Sequence, residues 1–351
     1  MTDLAALPLA DPSPIPARKR AIARWLFVVA GMIFVMTVIG ALTRLTESGL
    51  SIVEWKPFTG WIPPLSLDAW QSEFAKYQQS PEYKQLNEGM SLLQFQHIFW
   101  LEFIHRVLGR LIGLAFFVPM VWFLWKRYVP RKLVPHLVAM LLLGGLQGAI
   151  GWFMVKSGLV DRPSVSQYRL ALHLGTAVAI YIYIVWTALG LVEQRVRPAR
   201  PGYRLVCAYA AYIFFVMISG AFVAGLDAGL VHETFPDMSG YFLPPGAYDP
   251  ALGFLNHFEN QTMVQFQHRC LAEAAVLLAL LLWWRIRKTP RLSHPARMAA
   301  NAVALMALIQ LGLGISTLLL GVPVAVATLH QAGALTLLTL SLVLAHRLRV
   351  P

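Results

Sequence analysis

The chain has 351 residues and a mean hydropathy of +0.59; 57% of its residues are hydrophobic and only 13% charged. That balance excludes an ordinary water-soluble domain and describes a chain that lives in lipid. Its net charge of +12 sits largely in short segments between apolar runs, so the charge is membrane anchoring and gives no support to a nucleic-acid role.

The N-terminus, MTDLAALPLADPSPIPARKR, has no apolar core and is no signal peptide; residues 1–24 are expected to form a disordered, Pro-rich tail. An uncharged run at 25–43 is long enough for a first span. A loop at about 44–92 follows, carrying Trp55, Pro57, Trp61, Pro63, Pro64 and Trp70. The second span runs from about 93 to 125, the third from 133 to 155 and the fourth from 170 to 192. A linker at 195–204 leads to the fifth span at 205–226, a second loop at about 227–261 and the sixth span at about 262–284. The last uncharged run, 299–345, is about twice the length one span needs and breaks near 321–323, which gives the seventh and eighth.

The expectation is therefore an all-α integral membrane protein of eight transmembrane helices. Of the 29 Lys and Arg residues, 19 fall on one side of these spans. That side, with both termini, is expected to be cytoplasmic. Cys207 and Cys270 both lie within spans, so no structural disulfide is expected.

The two halves repeat. Gly40-Ala41-Leu42 with Ser48-Gly49-Leu50 answers Gly220-Ala221-Phe222 with Ala228-Gly229-Leu230, and Glu102-Phe103-Ile104-His105-Arg106 answers Gln265-Phe266-Gln267-His268-Arg269. Gln147 and Gly151 answer Gln310 and Gly314, and His173 answers His330. The spans are thus expected to form two duplicated four-helix bundles, 25–194 and 205–346, whose cores can hold cofactors. The tetrapeptide Gln-Phe-Gln-His also ends at His97, but the Arg that follows and the depth in the span make His105 the counterpart of His268.

The second span opens on LEFIHRVLGR, which sets Glu102, His105, Arg106 and Arg110 in apolar surroundings. Glu102 and His105 are three apart and share a helix face. Ionisable groups at membrane depth are costly and mark function by default. Of ten histidines, His105, His173, His268 and His330 fall one per even-numbered span, each in its outer part. At about 1.5 Å rise per residue they share one level, roughly two to three turns from the outer surface. Two imidazoles from facing helices suit the axial positions of a haem iron, giving the pairs His105 with His173 and His268 with His330. The bland reading makes each a lone polar residue bonded to a neighbouring helix; four at matched depth in both halves weigh against it. With no Cys-x-x-Cys-His, covalent haem attachment is excluded.

Gln265 stands where the first half has Glu102, so only the first half has an ionisable carboxyl beside its histidine. Such a group can act as acid or base; the competing reading is a salt bridge to Arg106 or Arg110. Arg106 and Arg269 are candidate partners for haem propionates, whereas Arg44, Lys156, Arg162 and Arg169 read as interfacial anchors. Gly144, Gly145, Gly148, Gly151, Gly312 and Gly314 read as close-packing residues.

The fragments EFIHR (102–106), QGAIGWFMVKSGL (147–159), LHLGTA (172–177), QFQHR (265–269) and TLHQAGA (328–334) together resemble the haem A synthase family over nearly the whole chain after the tail. The resemblance implies a membrane enzyme that oxidises the C8 methyl of haem O to a formyl group. It implies a permanent haem b on His268 and His330, haem O facing His105 and His173, and Glu102 as the essential glutamate. Expected partners are haem O as substrate, a haem O synthase and an electron acceptor in the membrane, with self-association left open. The expected location is a bacterial inner membrane, with the haem sites near the periplasmic face. Some members carry a cysteine pair in the first outer loop, and this chain has none there.

Three rivals stand beside it. A bis-histidine cytochrome b would pass electrons and modify no haem. A di-iron oxygenase would need Glu-x-x-His on two helices, and the second copy here is Gln-x-x-His. A transporter has only the repeat in its favour.

Overall fold

The computed structural model describes residues 16–56, 59–159, 164–192, 202–290 and 292–349. The first part of the expected tail (1–15), most of the linker (195–201) and the anchor Arg162 lie outside them. The described residues form helices throughout, with no strand among them.

In chain order these are α1 (Ala17–Leu45), α2 (Leu67–Tyr77), α3 (Pro81–Leu86), α4 (Leu92–Trp125), α5 (Val134–Gly158), α6 (Gln167–Val192), α7 (Tyr203–Gly225), α8 (Asn256–Glu259), α9 (Gln261–Arg287), α10 (His294–Leu319) and α11 (Val324–Arg347). Seven of the long helices are apolar enough to cross a membrane. Where the sequence predicts eight, α9 falls outside that set. Its 27 residues are long enough, but Gln265, Gln267, His268, Arg269 and Glu273 dilute its outer half.

Two boundaries differ from expectation. The first helix begins at Ala17, eight residues before the predicted span. Ala, Arg and Lys are strong helix formers, so ARKRAIAR extends the apolar run inward. The loop between α1 and α4 holds two helices, each started by a serine: Ser66 caps α2 by accepting from Ala69 N, and Ser80 caps α3 by accepting from Tyr83 N, with Pro81 in the first turn. Each cap contributes on the order of 1 kcal/mol. Beneath them Tyr77, Phe95 and Phe99 are buried with Trp70 and Phe74 packed against them. This aromatic cluster ties the loop to the N-terminal end of α4.

In the first half α1 packs on α4 and α6, and α5 packs on the same two, closing a ring. In the second, α7 packs on α9 and α11, and α10 packs on those two. The rings meet where α6 lies on α7 and α11, and α1 lies on α11. At the C-terminal end of α1, Arg44 bonds Asp227 at 2.9 Å and the carbonyl of Ala224 at 2.7 Å, linking the first half to the second.

Lipid offers no water to an orphaned backbone group. Pro119 inside α4 has no N–H, so the carbonyl of Ala115 lacks its usual helical donor. The indole Nε1 of Trp25 on α1 fills that role at 2.8 Å. One proline thereby fixes how α1 is rotated against α4.

The buried core is concentrated at one end of the helices, from Ile22 to Ile33, Val178 to Ala188, Val206 to Met217 and Leu335 to Leu348. Toward the opposite end the packing loosens. No residue from 103 to 115 in α4, 141 to 157 in α5, 266 to 274 in α9 or 308 to 319 in α10 is buried. All four candidate histidines lie at this loosely packed level.

Candidate haem sites

Each of the four histidines stands against a glycine of the preceding long helix. A Cβ on Gly40 of α1 would meet His105 Cε1 of α4 at 3.2 Å, and one on Gly220 of α7 would meet His268 Cε1 of α9 at 3.1 Å. The corresponding distances are 2.9 Å from Gly151 of α5 to His173 of α6 and 3.0 Å from Gly314 of α10 to His330 of α11. A side chain at any of these positions would push its imidazole. These glycines therefore cradle the rings, a more particular task than the close helix packing read from sequence. The parallel between Gly40 with His105 and Gly220 with His268 favours His105 over His97 as the counterpart.

The rings are held from their edges as well. Gln147 Nε2 donates to the carbonyl of His173 at 2.9 Å and stands 3.1 Å from its Nδ1. Gln310 treats His330 with the same two distances. Ser219 Oγ lies 2.8 Å from His268 Nδ1. His105 Nδ1 is buried with no hydrogen-bond partner. The glutamine pair was visible as a repeat in the sequence; Ser219 was not, because its counterpart is Ile39.

Glu102 does not stand free beside His105. Its Oε1 accepts from Arg106 Nη2 at 2.6 Å and Nε at 3.0 Å, and its Oε2 accepts from Ser51 Oγ at 2.7 Å and Ile52 N at 2.8 Å. Arg106 also donates to the carbonyls of Ile52 and Glu54, and Arg110 to that of Lys56. Trp55 and Trp61 lie over the Arg106 and Arg110 guanidiniums. Glu102, Arg106 and Arg110 thus clamp residues 51–56 of the first outer loop onto α4. Ser51 and Ile52 escape a sequence reading, because a contact spanning about fifty residues leaves no local pattern.

The second half repeats the clamp without the carboxylate. Gln265 Nε2 donates to the carbonyl of His232 at 2.9 Å, and Arg269 donates to those of His232, Thr234 and Asp237. The expected propionate partners Arg106 and Arg269 therefore both hold loop backbone. Arg269 Nε is still buried without a partner. Of the expected anchors, Arg169 donates to the carbonyl of Phe153 and lies over its ring, and Lys156 lies over Trp152.

This donor set fits a haem better than a bare metal ion. Among the described residues no three of His, Cys, Asp and Glu gather as an ion cage. Paired imidazoles, the glycine cradles, a loosely packed level and the unpartnered Arg269 Nε are what a haem with propionates would use. Cys207 and Cys270 are both free thiols.

One further acid lies under the first outer loop. Glu82 is 2% exposed, accepts from Tyr77 Oη at 2.9 Å, and is pushed up from 4.5 to about 8, chiefly by burial. Between about pH 4.5 and 8 the unfolded chain releases this proton while the folded loop keeps it, so loop stability falls across that window. Glu82→Gln is expected to remove the dependence and protect α2 and α3 at pH 8. Hydrogen exchange of residues 66–92 at pH 5 and pH 8 measures it, and equal pH dependence in both proteins would contradict the assignment.

The model of the family described as cytochrome oxidase assembly protein matches residues 23–342. A protein named Heme A synthase from Nitrosospira multiformis is 49% identical over 338 residues, 95% of each chain. One of the same name from Parvibaculum lavamentivorans is 47% identical over 333 residues, again 95% of each. Heme A synthase COX15 of Arabidopsis thaliana is 45% identical over 351 residues, covering 96% of this chain and 76% of the plant protein.

Proposed function

We propose, from the premise that this chain belongs to the cytochrome oxidase assembly protein family, that it is a membrane enzyme converting haem O to haem A. The observation that carries this beyond kinship is the asymmetry of two otherwise matched imidazole pairs: Glu102 stands beside one and Gln265 beside the other. An electron-carrying cytochrome b needs no such difference and is the less favoured reading.

The reaction takes the C8 methyl of haem O to a formyl group. Two successive two-electron oxidations at that carbon, each adding the oxygen of a water and releasing two protons and two electrons, give an alcohol and then a geminal diol, which loses water to the aldehyde. His105 and His173 bind the substrate haem. Arg106 keeps Glu102 at a fixed place, and Glu102 orients the reacting group or a water and takes up protons released at the carbon. The 51–56 segment, clamped by the same residues, closes the site toward the outer water. His268 and His330 would hold haem b, and the free Nε of Arg269 would be available to pair with its carboxylates. When bound there, haem b supplies one-electron transfer out of the first half.

The wider setting follows from the same reading. All eight long helices cross the membrane, α9 included, as two bundles related by duplication. Lys and Arg bias puts both termini in the cytoplasm of a bacterium, the protein in its inner membrane and the haem sites near the periplasmic face. A haem O synthase supplies the substrate, and an electron acceptor in the membrane receives the electrons.

Co-expression with a haem O synthase, in a host that makes haem O and no haem A, tests the activity. Haem A in the extracted membranes is the expected result; haem O alone, with the protein present at normal level, would overturn it.

A further inference from the structure

We propose that Ser219 makes His268 a permanent haem ligand, and that Ile39 in the matching place leaves His105 an exchangeable one. The proposal rests on the assignment of haem b to the second half and goes on to say what keeps it there.

The Ser219 hydroxyl has one proton, and it is donated to the carbonyl of Val216 at 2.7 Å. The oxygen that remains can only accept, and it faces His268 Nδ1 at 2.8 Å. Nδ1 therefore carries the imidazole proton. A neutral ring has only one, so Nε2 is left as a bare lone pair, the form an iron needs. A hydrogen bond to the far nitrogen also fixes the ring plane and strengthens the ligand.

The first half lacks the device. Ser219 precedes Gly220, the glycine against His268; Ile39 precedes Gly40, the glycine against His105. Isoleucine has no polar atom, and His105 Nδ1 is buried without a partner. The other two histidines each meet a glutamine, Gln147 and Gln310, at matched distances. The halves thus treat one ligand of each pair alike and the other differently. A resident cofactor must stay and a substrate must leave as product, and the one histidine with no Nδ1 partner is on the substrate side. Ser219 is a positioning residue, acting through His268.

The test is haem loss from the purified full-length protein to an excess of apo-myoglobin, followed with the low-spin electron paramagnetic resonance spectrum. Ser219→Ala is expected to lose haem b about 10-fold faster or more, with a shifted spectrum, while Ser219→Thr keeps wild-type behaviour. Ile39→Ser is expected to hold the first-half haem about 10-fold longer. His268→Ala separates the two levels of the argument. If it keeps haem b with an unchanged spectrum, the assignment of haem b to the second half fails. If it loses haem b but Ser219→Ala releases it at the wild-type rate with an unchanged spectrum, the Ser219 proposal fails. An Ile39→Ser variant that releases its haem at the wild-type rate overturns the role given to Ile39.

Discussion

Glu102→Gln is expected to fold, to keep both haems and to lower haem A formation by about 10²- to 10⁴-fold, the usual contribution of a positioned acid or base. The second half is the reason to expect folding. Gln265 occupies the matching position, and its amide still bonds the outer loop, at 2.9 Å to the carbonyl of His232. A glutamine at 102 keeps one oxygen for Arg106 or Ile52 and loses the charge and the titratable site. Haem O or its alcohol should accumulate in the purified variant. Glu102→Ala is expected to behave differently. It would leave the Arg106 guanidinium, the Ser51 hydroxyl and the Ile52 N–H without their acceptor in a site where Glu102 is 3% exposed. Breaking such a buried pair costs about 3–5 kcal/mol, so this variant should also loosen residues 51–56. The measurements are haem content by chromatography and thermal unfolding in detergent. Normal haem A from Glu102→Gln would remove the carboxyl from the chemistry and leave it only the clamp.

A methyl group at Gly314 or Gly151 should act on one site each. The added Cβ would stand 3.0 Å from His330 Cε1 in the first case and 2.9 Å from His173 Cε1 in the second. Cβ contacts this short are rare, so the imidazole must give way by a few tenths of an ångström, and disturbed support of a metal ligand typically costs roughly 10–100-fold in affinity. Gly314→Ala should lower haem b content and leave the first-half site filled. Gly151→Ala should weaken retention of haem O and spare haem b. Gly312→Ala is the control, because nothing lies within 4 Å of its Cβ; it should be neutral or stabilise the helix by roughly 0.5–1 kcal/mol. Optical spectra and haem-to-protein ratios of the three purified variants decide the matter. Full haem b and an unshifted spectrum in Gly314→Ala would contradict the cradle.

Seven of the eight expected spans were legible because long apolar helices announce themselves by length and composition. The repeat then carried the correspondence of residues, from Glu102 and Gln265 to Gln147 and Gln310. It did not carry helix rotation. That Gly151 and Gly314 face imidazoles is set by tertiary packing, and so is the donation from Trp25 to the carbonyl orphaned by Pro119. Ser219 shows the limit most plainly. A search for what repeats passes over a residue whose importance is that Ile39 fails to repeat it. The loop helices α2 and α3 had legible starts in Ser66 and in Ser80 with Pro81, obscured by the surrounding Trp and Pro residues. The beginning of α1 at Ala17 was hidden by its basic residues, which end an apolar run without ending a helix. The same dilution by Gln265, His268, Arg269 and Glu273 lowers the hydropathy of α9, where the site chemistry is densest.

The most direct test of the central claim is the haem inventory of the purified wild-type protein, by extraction, chromatography and mass spectrometry. The account predicts haem b together with haem O, its C8 alcohol or haem A. Haem b alone, at two per chain, would contradict it and leave an electron-carrying cytochrome.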